Sequence, residues 1–339
     1  MFYSPNQLLS YNADISCVLD LRGYGKTTGV LKYCFDLATR FEKLKFAWFR
    51  MTHNEYKLIK GSFGSSIPRL FPKVMRGWNY RIKNDYIQFF RDTKKGRQVF
   101  NGGRIGYIDQ FRGLKGAEMQ DVDVLVIDEL LPEGGTLSKD DYDKVMSLID
   151  TIFRLRKPRV IFMSNCVTMA NPFFVEWGIT KLEQGFTRVK GRNIVIEYGS
   201  ASDDFIKARK ESAIGKLTEG TKYGEYATDN RFLLDDDTDV LPKPKGNEHI
   251  FLNVIANGMT IQVSMINSML YFCNGKDKTL KSISPYLDDA KHGRAIFVDK
   301  NYPFMKSMLK YFLKGKVVFS NQAVKNEIVL ILRKIKCGF

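Results

Sequence analysis

The segment Arg22-Gly23-Tyr24-Gly25-Lys26-Thr27 constrains this 339-residue chain more than any other. An apolar run, Ile15 to Leu21, leads into it. After it, Leu31, Cys34/Phe35, Ala38 and Phe41 recur at three-to-four spacing, as on one face of a helix. The local order is therefore strand, tight glycine turn, helix. Gly23 and Gly25 let backbone N–H groups face a phosphate, and the helix N-terminus adds partial positive charge. In that setting Lys26 reaches the β/γ-phosphates, and the Thr27 hydroxyl ligates Mg²⁺, with Thr28 beside it. ATP and Mg²⁺ are the cofactors this predicts. Arg22 lies inside the loop and is placed to contact phosphate in cis. The motif departs from GxxxxGK[ST] at its first glycine, where Asp20 stands. A carboxylate there has to point away from phosphate, or pair with Arg22 or a neighbouring chain.

A second apolar run, Val122 to Ile127, ends at Asp128-Glu129. Near-continuous apolar character fits a strand buried on both faces. A strand delivering Asp-Glu at its C-terminal end is the Walker B arrangement: Asp128 would hold Mg²⁺, and Glu129 would act as general base on the attacking water. Val160 to Met163 is a further short strand, and Asn165 just beyond it would sense the γ-phosphate or orient the water. Between these runs, Ser138 can cap a helix through about Phe153, with Asp141 three residues on as an approximate capping box. Arg154, Arg156 and Arg159 follow that helix. An arginine supplied by a neighbouring subunit stabilises transition-state charge in such ATPases.

Phe46 to Phe49 is another strand, stopped by Arg50. Lys60 to Asn84 reads as loop-dominated, and Tyr86–Phe90 and Arg97–Phe100 as strands around Lys94-Lys95-Gly96. Strands separated by helices indicate a mainly parallel α/β sheet. The expected domains are a P-loop ATPase domain over 1–198, a helical, glycine-rich linker over 199–240, and a basic α+β domain over 241–339. The last has three hairpin-connected strands from Ile250 to Cys273, turning at Asn257-Gly258, then helices near Pro303–Lys314 and Gln322–Lys336.

Apolar content is 44%, enough for packed cores. No apolar run reaches the ~18 residues of a membrane span, and Met1 to Asn6 lacks a secretory signal, so a soluble, cytoplasmic protein without a membrane partner is expected. Five scattered cysteines and three isolated histidines give no zinc-ligand spacing. The formal net charge is +16; residues 240–339 carry 16 Lys+Arg against 6 Asp+Glu. Such a balance favours polyanionic partners.

With these residues placed, the chain resembles the DNA-packaging ATPases of small, protein-primed tailed phages, ring-forming P-loop motors of the ASCE class. The resemblance rests on Phe2-Tyr3-Ser4-Pro5, the Arg22–Thr27 loop, Val126-Ile127-Asp128-Glu129, Leu148–Arg154, Met163-Ser164-Asn165, Asn171-Pro172-Phe173-Phe174, Gly220–Glu225, Asn257-Gly258-Met259-Thr260 and Phe319-Ser320-Asn321-Gln322. It implies a pentameric homo-oligomeric ring at the portal of a prohead, driving double-stranded DNA inward. It carries Lys26, Thr27, Asp128 and Glu129 over as the cis site, and Arg154 as the trans finger. It implies a C-terminal domain that is ribonuclease-H-like but without nuclease activity, since Asn253 is the polar residue of its first strand, and a structural packaging RNA as a possible partner. His53 stands where related chains offer a permanent charge, which weakens a trans role there. DNA grip is expected in loops near Lys94-Lys95 or Arg104 to Lys115. The competing expectations are a helicase- or recombination-type P-loop ATPase and a non-catalytic nucleic-acid-binding assembly protein.

Overall fold

The computed structural model describes the chain apart from residues 1–2, 111–118, 120, 132–136, 138, 170, 180–181, 230–231, 233–234, 236–238, 292 and 338–339. In chain order the first elements are α1 (Asn6–Ser10), β1 (Ile15–Leu19), α2 (Lys26–Phe41), β2 (Phe46–Arg50), α3 (His53–Lys60), α4 (Ser66–Leu70), α5 (Pro72–Met75), β3 (Asn79–Lys83), β4 (Tyr86–Thr93) and β5 (Gly96–Tyr107). Next come β6 (Val124–Asp128), α6 (Lys139–Phe153), β7 (Val160–Ser164), α7 (Pro172–Trp177), β8 (Gly185–Arg188), β9 (Ile194–Tyr198), α8 (Asp203–Glu211), α9 (Ala213–Thr218) and α10 (Lys222–Asp229). The rest are β10 (Glu248–Ala256), β11 (Met259–Ile266), β12 (Met269–Asn274), β13 (Ser282–Ser284), α11 (Leu287–Lys291), β14 (Ile296–Phe297), α12 (Pro303–Leu313), β15 (Val317–Phe319) and α13 (Gln322–Cys337).

Two compact units result: Met1–Gly135 with Asp140–Val167 and Glu183–Leu233, and Thr136–Lys139 with Thr168–Leu182 and Leu234–Phe339. The segment expected as a linker is helical over α8 to α10 and groups with the first unit, whereas α7, inside the expected ATPase span, groups with the second.

Nine strands of the first unit, among the described residues, form one sheet in the order β3-β4-β5-β2-β6-β7-β1-β9-β8. The six from β5 to β9 in that order run parallel, and β3, β4 and β8 add antiparallel edges. Every residue of β1, β2, β6 and β7 is buried, which is why these strands are mostly apolar, with polar residues chiefly at their C-terminal ends. Helix α2 buries Val30, Leu31, Cys34, Phe35 and Ala38 against this sheet. Phe41, expected on the same face, is instead exposed at the helix end, where the Lys45 ammonium lies 5.2 Å from its ring centroid.

The stretch 60–84 is not loop-dominated. It holds α4, α5 and β3; Ile67 of α4, Val74 and Met75 of α5, and Trp78 just before β3 are buried in the main core. Helices of four or five residues are too short to show a 3.6-residue period. Preceding them, α3 starts at a capping box: Glu55 N donates to Thr52 Oγ1 at 3.3 Å, and Thr52 N donates to Glu55 Oε2 at 3.0 Å. Ser138, the expected cap of α6, lies outside the described residues, as do residues 111–115 of the expected DNA-gripping loop. Arg104 is not in a loop at all but within β5.

The second unit has a mixed sheet in the order β14-β13-β10-β11-β12-β15. Strands β10 to β12 form an antiparallel meander, with β13 parallel to β10 and β15 parallel to β12, a ribonuclease-H-like arrangement. The first hairpin turns on Asn257 (φ 49°) and Gly258 (φ 84°), the left-handed pair that a two-residue hairpin favours. Met305, Met308, Val324, Ile328 and Ile331 of α12 and α13 pack on Val254, Ile261 and Phe272 of the sheet. Strands β13 to β15, of two or three residues, went unrecognised because they are too short to alternate visibly.

Candidate functional site

Parallel register sets the site on one edge of the main sheet. Leu19 pairs with Ser164, Met163 with Asp128, and Asp128 with Arg50, so β1, β7, β6 and β2 end side by side. From that edge Gly23 (φ 84°) and Gly25 (φ 87°) turn the chain into α2, a conformation that glycine adopts without steric cost. A Cβ placed on Gly23 would meet nothing within 4 Å, so the loop mouth is open. The first-turn N–H groups of α2 have no partner within the helix and face this mouth.

Lys26 is buried, and its Nζ donates to Asp20 O at 2.6 Å, Leu21 O at 2.9 Å and Asn165 Oδ1 at 3.1 Å. The structure therefore brings two separately predicted residues, Lys26 and Asn165, into direct contact. Burial pushes the ammonium below the ordinary lysine value, opposed by the charge of Asp20 and, more weakly, of Asp128 and Glu129. Thr27 and Arg22 are exposed at the mouth, and Thr28 is half-buried. Asp20 points away from the phosphate side: its carboxylate accepts from Leu21 N and from Ser200.

Arg50 also stands at this edge, a placement its local sequence does not reveal. It reads as a charged strand stop, yet its guanidinium is buried between both Walker B carboxylates. Nη2 lies 2.7 Å from Asp128 Oδ2, and Nη1 lies 2.5 Å from Glu129 Oε2. Burial pushes the Asp128 carboxyl up to about 6, against the pull of Arg50 and Lys26. Glu129 is unlike its neighbour: its side chain is 52% exposed, and its backbone is left-handed at φ 56°. Strain of that kind in a non-glycine residue collects at functional sites. Leu130 N to Met163 O (3.0 Å) and Leu131 N to Ser164 Oγ (3.2 Å) hold the turn that imposes it.

Removing one partner of a buried ion pair typically costs about 3–5 kcal/mol, because the other charge is left unpaired. Arg50→Ala is therefore expected to lower the unfolding free energy by that order at pH 7.5. Thermal unfolding checks it, and the loss should shrink below pH 6, where Asp128 is protonated. An unchanged transition at pH 7.5 would show that the pair is not formed.

Arg154 is not brought to this edge. It follows the C-terminal end of α6, and nearby Arg156 donates to Val122 O, just before β6, at 2.9 Å and to Ile152 O of α6 at 2.7 Å. Strand β6 then rises about 13 Å before Asp128, at ~3.3 Å per residue. Arg154 is exposed at φ 50°. His53 opens α3 and lies against Tyr107, with ring centroids 4.7 Å apart.

An ATP–Mg²⁺ pair fits the donor set: an open glycine turn, a buried ammonium, a threonine hydroxyl and a buried carboxylate. Among the described residues no three His, Cys, Asp or Glu converge on a cation. In the second unit, Asn253 of β10 is buried. It donates to Asp277 O at 2.8 Å and accepts from Asp277 N at 3.0 Å, so it braces a loop.

The family model described as "Podovirus DNA encapsidation protein (Gp16)" matches residues 1–337. The DNA packaging protein of Bacillus phage phi29 is 25% identical over 351 residues, covering 99% of this chain and 98% of that protein. That of Bacillus phage B103 is 28% identical over 327 residues, covering 94% and 96%. Among solved structures, a chain of the bacteriophage Phi-29 viral genome packaging motor assembly superposes with TM-score 0.71 at 22% identity, covering 98% of this chain and 99% of that one. The N-terminal domain of the DNA packaging ATPase from bacteriophage phi29 matches 60% of this chain and 98% of its own length, with TM-score 0.50 at 21% identity.

Proposed function

Because the chain belongs to the podovirus DNA encapsidation (Gp16) family, we propose that its ATP-driven packaging of phage DNA runs through a site shared between two copies of the chain. The observation that carries this is the sheet edge itself: Lys26 touches Asn165 there, beside Arg50, Asp128 and Glu129. The phosphate loop binds the nucleotide, with Lys26 on the β/γ-phosphates and Arg22 at the mouth. Thr27 and Asp128 would hold Mg²⁺, which neutralises phosphate charge when bound. Glu129 takes the proton of the attacking water, and Asn165 orients that water. Arg154 cannot serve its own site from the opposite end of β6, so it completes the site of a neighbouring copy.

A closed ring, of five copies by the resemblance, follows from each chain offering a site at one place and an arginine at another. Double-stranded DNA would be held mainly by its phosphates, since a motor has to move every sequence. The exposed Lys94-Lys95 turn between β4 and β5 is one candidate grip. The basic second unit suits the portal or a packaging RNA. With Asn253 braced rather than acidic, it is proposed not to cut DNA.

The test is steady-state ATP hydrolysis by the full chain on proheads, with and without double-stranded DNA, beside Lys26→Ala. DNA-stimulated turnover that Lys26→Ala abolishes is expected. Turnover indifferent to DNA and to Lys26 would sink the proposal.

A pH dependence follows from Asp128. Its carboxyl is raised to about 6, so it is ionised and ready for a cation above that pH and protonated below. Metal binding then releases a proton, and the Mg²⁺ concentration for half-maximal turnover should rise about tenfold per pH unit below 6. A Mg²⁺ requirement flat from pH 7.5 to 5 would contradict it.

A further inference from the structure

Asp20 is where the phosphate loop departs from its consensus, and its side chain is fully buried. The carboxylate accepts from Leu21 N at 2.7 Å, Ser200 N at 2.8 Å and Ser200 Oγ at 2.7 Å. Ser200 lies 180 residues further on, between β9 and α8. Tyr24 of the same loop makes a second link, its hydroxyl donating to Ser200 O at 3.3 Å and its ring lying 5.2 Å from that of Phe205 in α8. On the other side, Tyr3 donates from its backbone to Tyr24 O at 3.4 Å and from its hydroxyl to buried Glu197 at 2.6 Å. The loop is thus clasped to the start of α8 at two of its residues.

The clasp is connected to the lysine that would bind phosphate. Lys26 Nζ donates to the carbonyl of Asp20, the residue whose carboxylate holds Ser200. When Lys26 turns toward a phosphate it gives up that carbonyl, and the peptide it releases belongs to the residue that anchors α8. Both Ser200 hydrogen bonds to Asp20 are short, and the Asp20 carboxyl is buried, so such a change passes to Ser200 instead of dissipating in solvent. A glycine at position 20 would have no side chain to carry it.

We propose that Asp20 is a positioning residue that couples the phosphate loop to α8, so that nucleotide occupancy at Lys26 is transmitted to the helical segment Asp203–Asp229. This rests on the loop being the nucleotide site, and the test keeps the two apart. Amide hydrogen exchange is measured on the full chain with and without saturating Mg²⁺ and a non-hydrolysable ATP analogue. Wild type should show nucleotide-dependent protection both in the loop, 22–28, and in α8, 203–211. Asp20→Gly should keep the protection of the loop and lose that of α8. Ser200→Ala, which deletes one donor only, should lose part of it, and it carries the test if Asp20→Gly does not fold. A purely architectural role predicts faster exchange in α8 by the same factor with and without nucleotide. That result, or wild-type α8 protection surviving in both variants, or no α8 protection in wild type, overturns the proposal. If the analogue leaves the wild-type loop itself unprotected, the nucleotide site is misplaced, and the coupling falls with it.

Discussion

Two inactive chains should make an active ring. Arg154→Ala is expected to lower DNA-stimulated hydrolysis by about 10³–10⁵, the range observed for arginine fingers. Nucleotide binding to the isolated chain should be unaffected, because Arg154 sits beyond the far end of β6 from its own phosphate loop. The turn that presents it is firmly built. Arg154 N closes α6 on Asp150 O at 2.7 Å, and Arg156 grips the carbonyl of Val122 just before β6. If the arginine acts on a neighbour, a ring mixing Arg154→Ala with Glu129→Gln subunits contains complete sites. Each Arg154→Ala subunit supplies a base, and each Glu129→Gln subunit supplies an arginine. Turnover by the mixture well above that of either variant alone is the expected result. Mixed rings as inactive as the pure ones would sink the trans role of Arg154.

Glu129→Gln has the second large effect. A positioned general base contributes about 10²–10⁴ in rate, and glutamine keeps the size but cannot take a proton. ATP should still bind, since Lys26, Thr27 and Asp128 are untouched, and the ring should stall with ATP bound. Rapid-quench measurement separates the outcomes. A lost chemical step with retained binding is expected, whereas weakened binding with an intact chemical step would make Glu129 a ligand and not a base. Its geometry already suits a group that has to move, being half-exposed, strained at φ 56° and tied to Arg50. Because Arg50 holds the Glu129 carboxylate, it has to release that carboxylate before the water is attacked.

Much of this arrangement was legible in the sequence, for a physical reason. Strands buried on both faces are mostly apolar, so β1, β6 and β7 stand out as apolar runs, and the polar residues that end them lie at one edge of the sheet. Asp128, Glu129 and Asn165 were expected at that edge for this reason, and Lys26 from the glycine turn, and the structure places them there. Arg50 was not, because a charge ending a strand is the commonest of patterns, and only the parallel pairing of β2 with β6 gives it two carboxylates. The partner of Asp20 was equally hidden, since nothing local connects it with Ser200. The short helices α4 and α5 were missed because four residues hold too little period to read, and the placement of α7 because chain order does not disclose which core a helix joins.

That last placement bears on ancestry. The chain enters the second unit at Thr168, returns to the first at Glu183 and leaves again after Leu233. Val175 of α7 packs on the second core, and Asn326 of α13 donates to Thr168 Oγ1 at 3.0 Å. Genetic exchange is rife when modular genomes recombine, but a crossover between codons 183 and 233 would pair a C-terminal half with a foreign copy of one of its own helices. Lineages of this chain should therefore inherit the two halves together, and mosaic genes joined in that interval should be rare or carry compensating changes around α7.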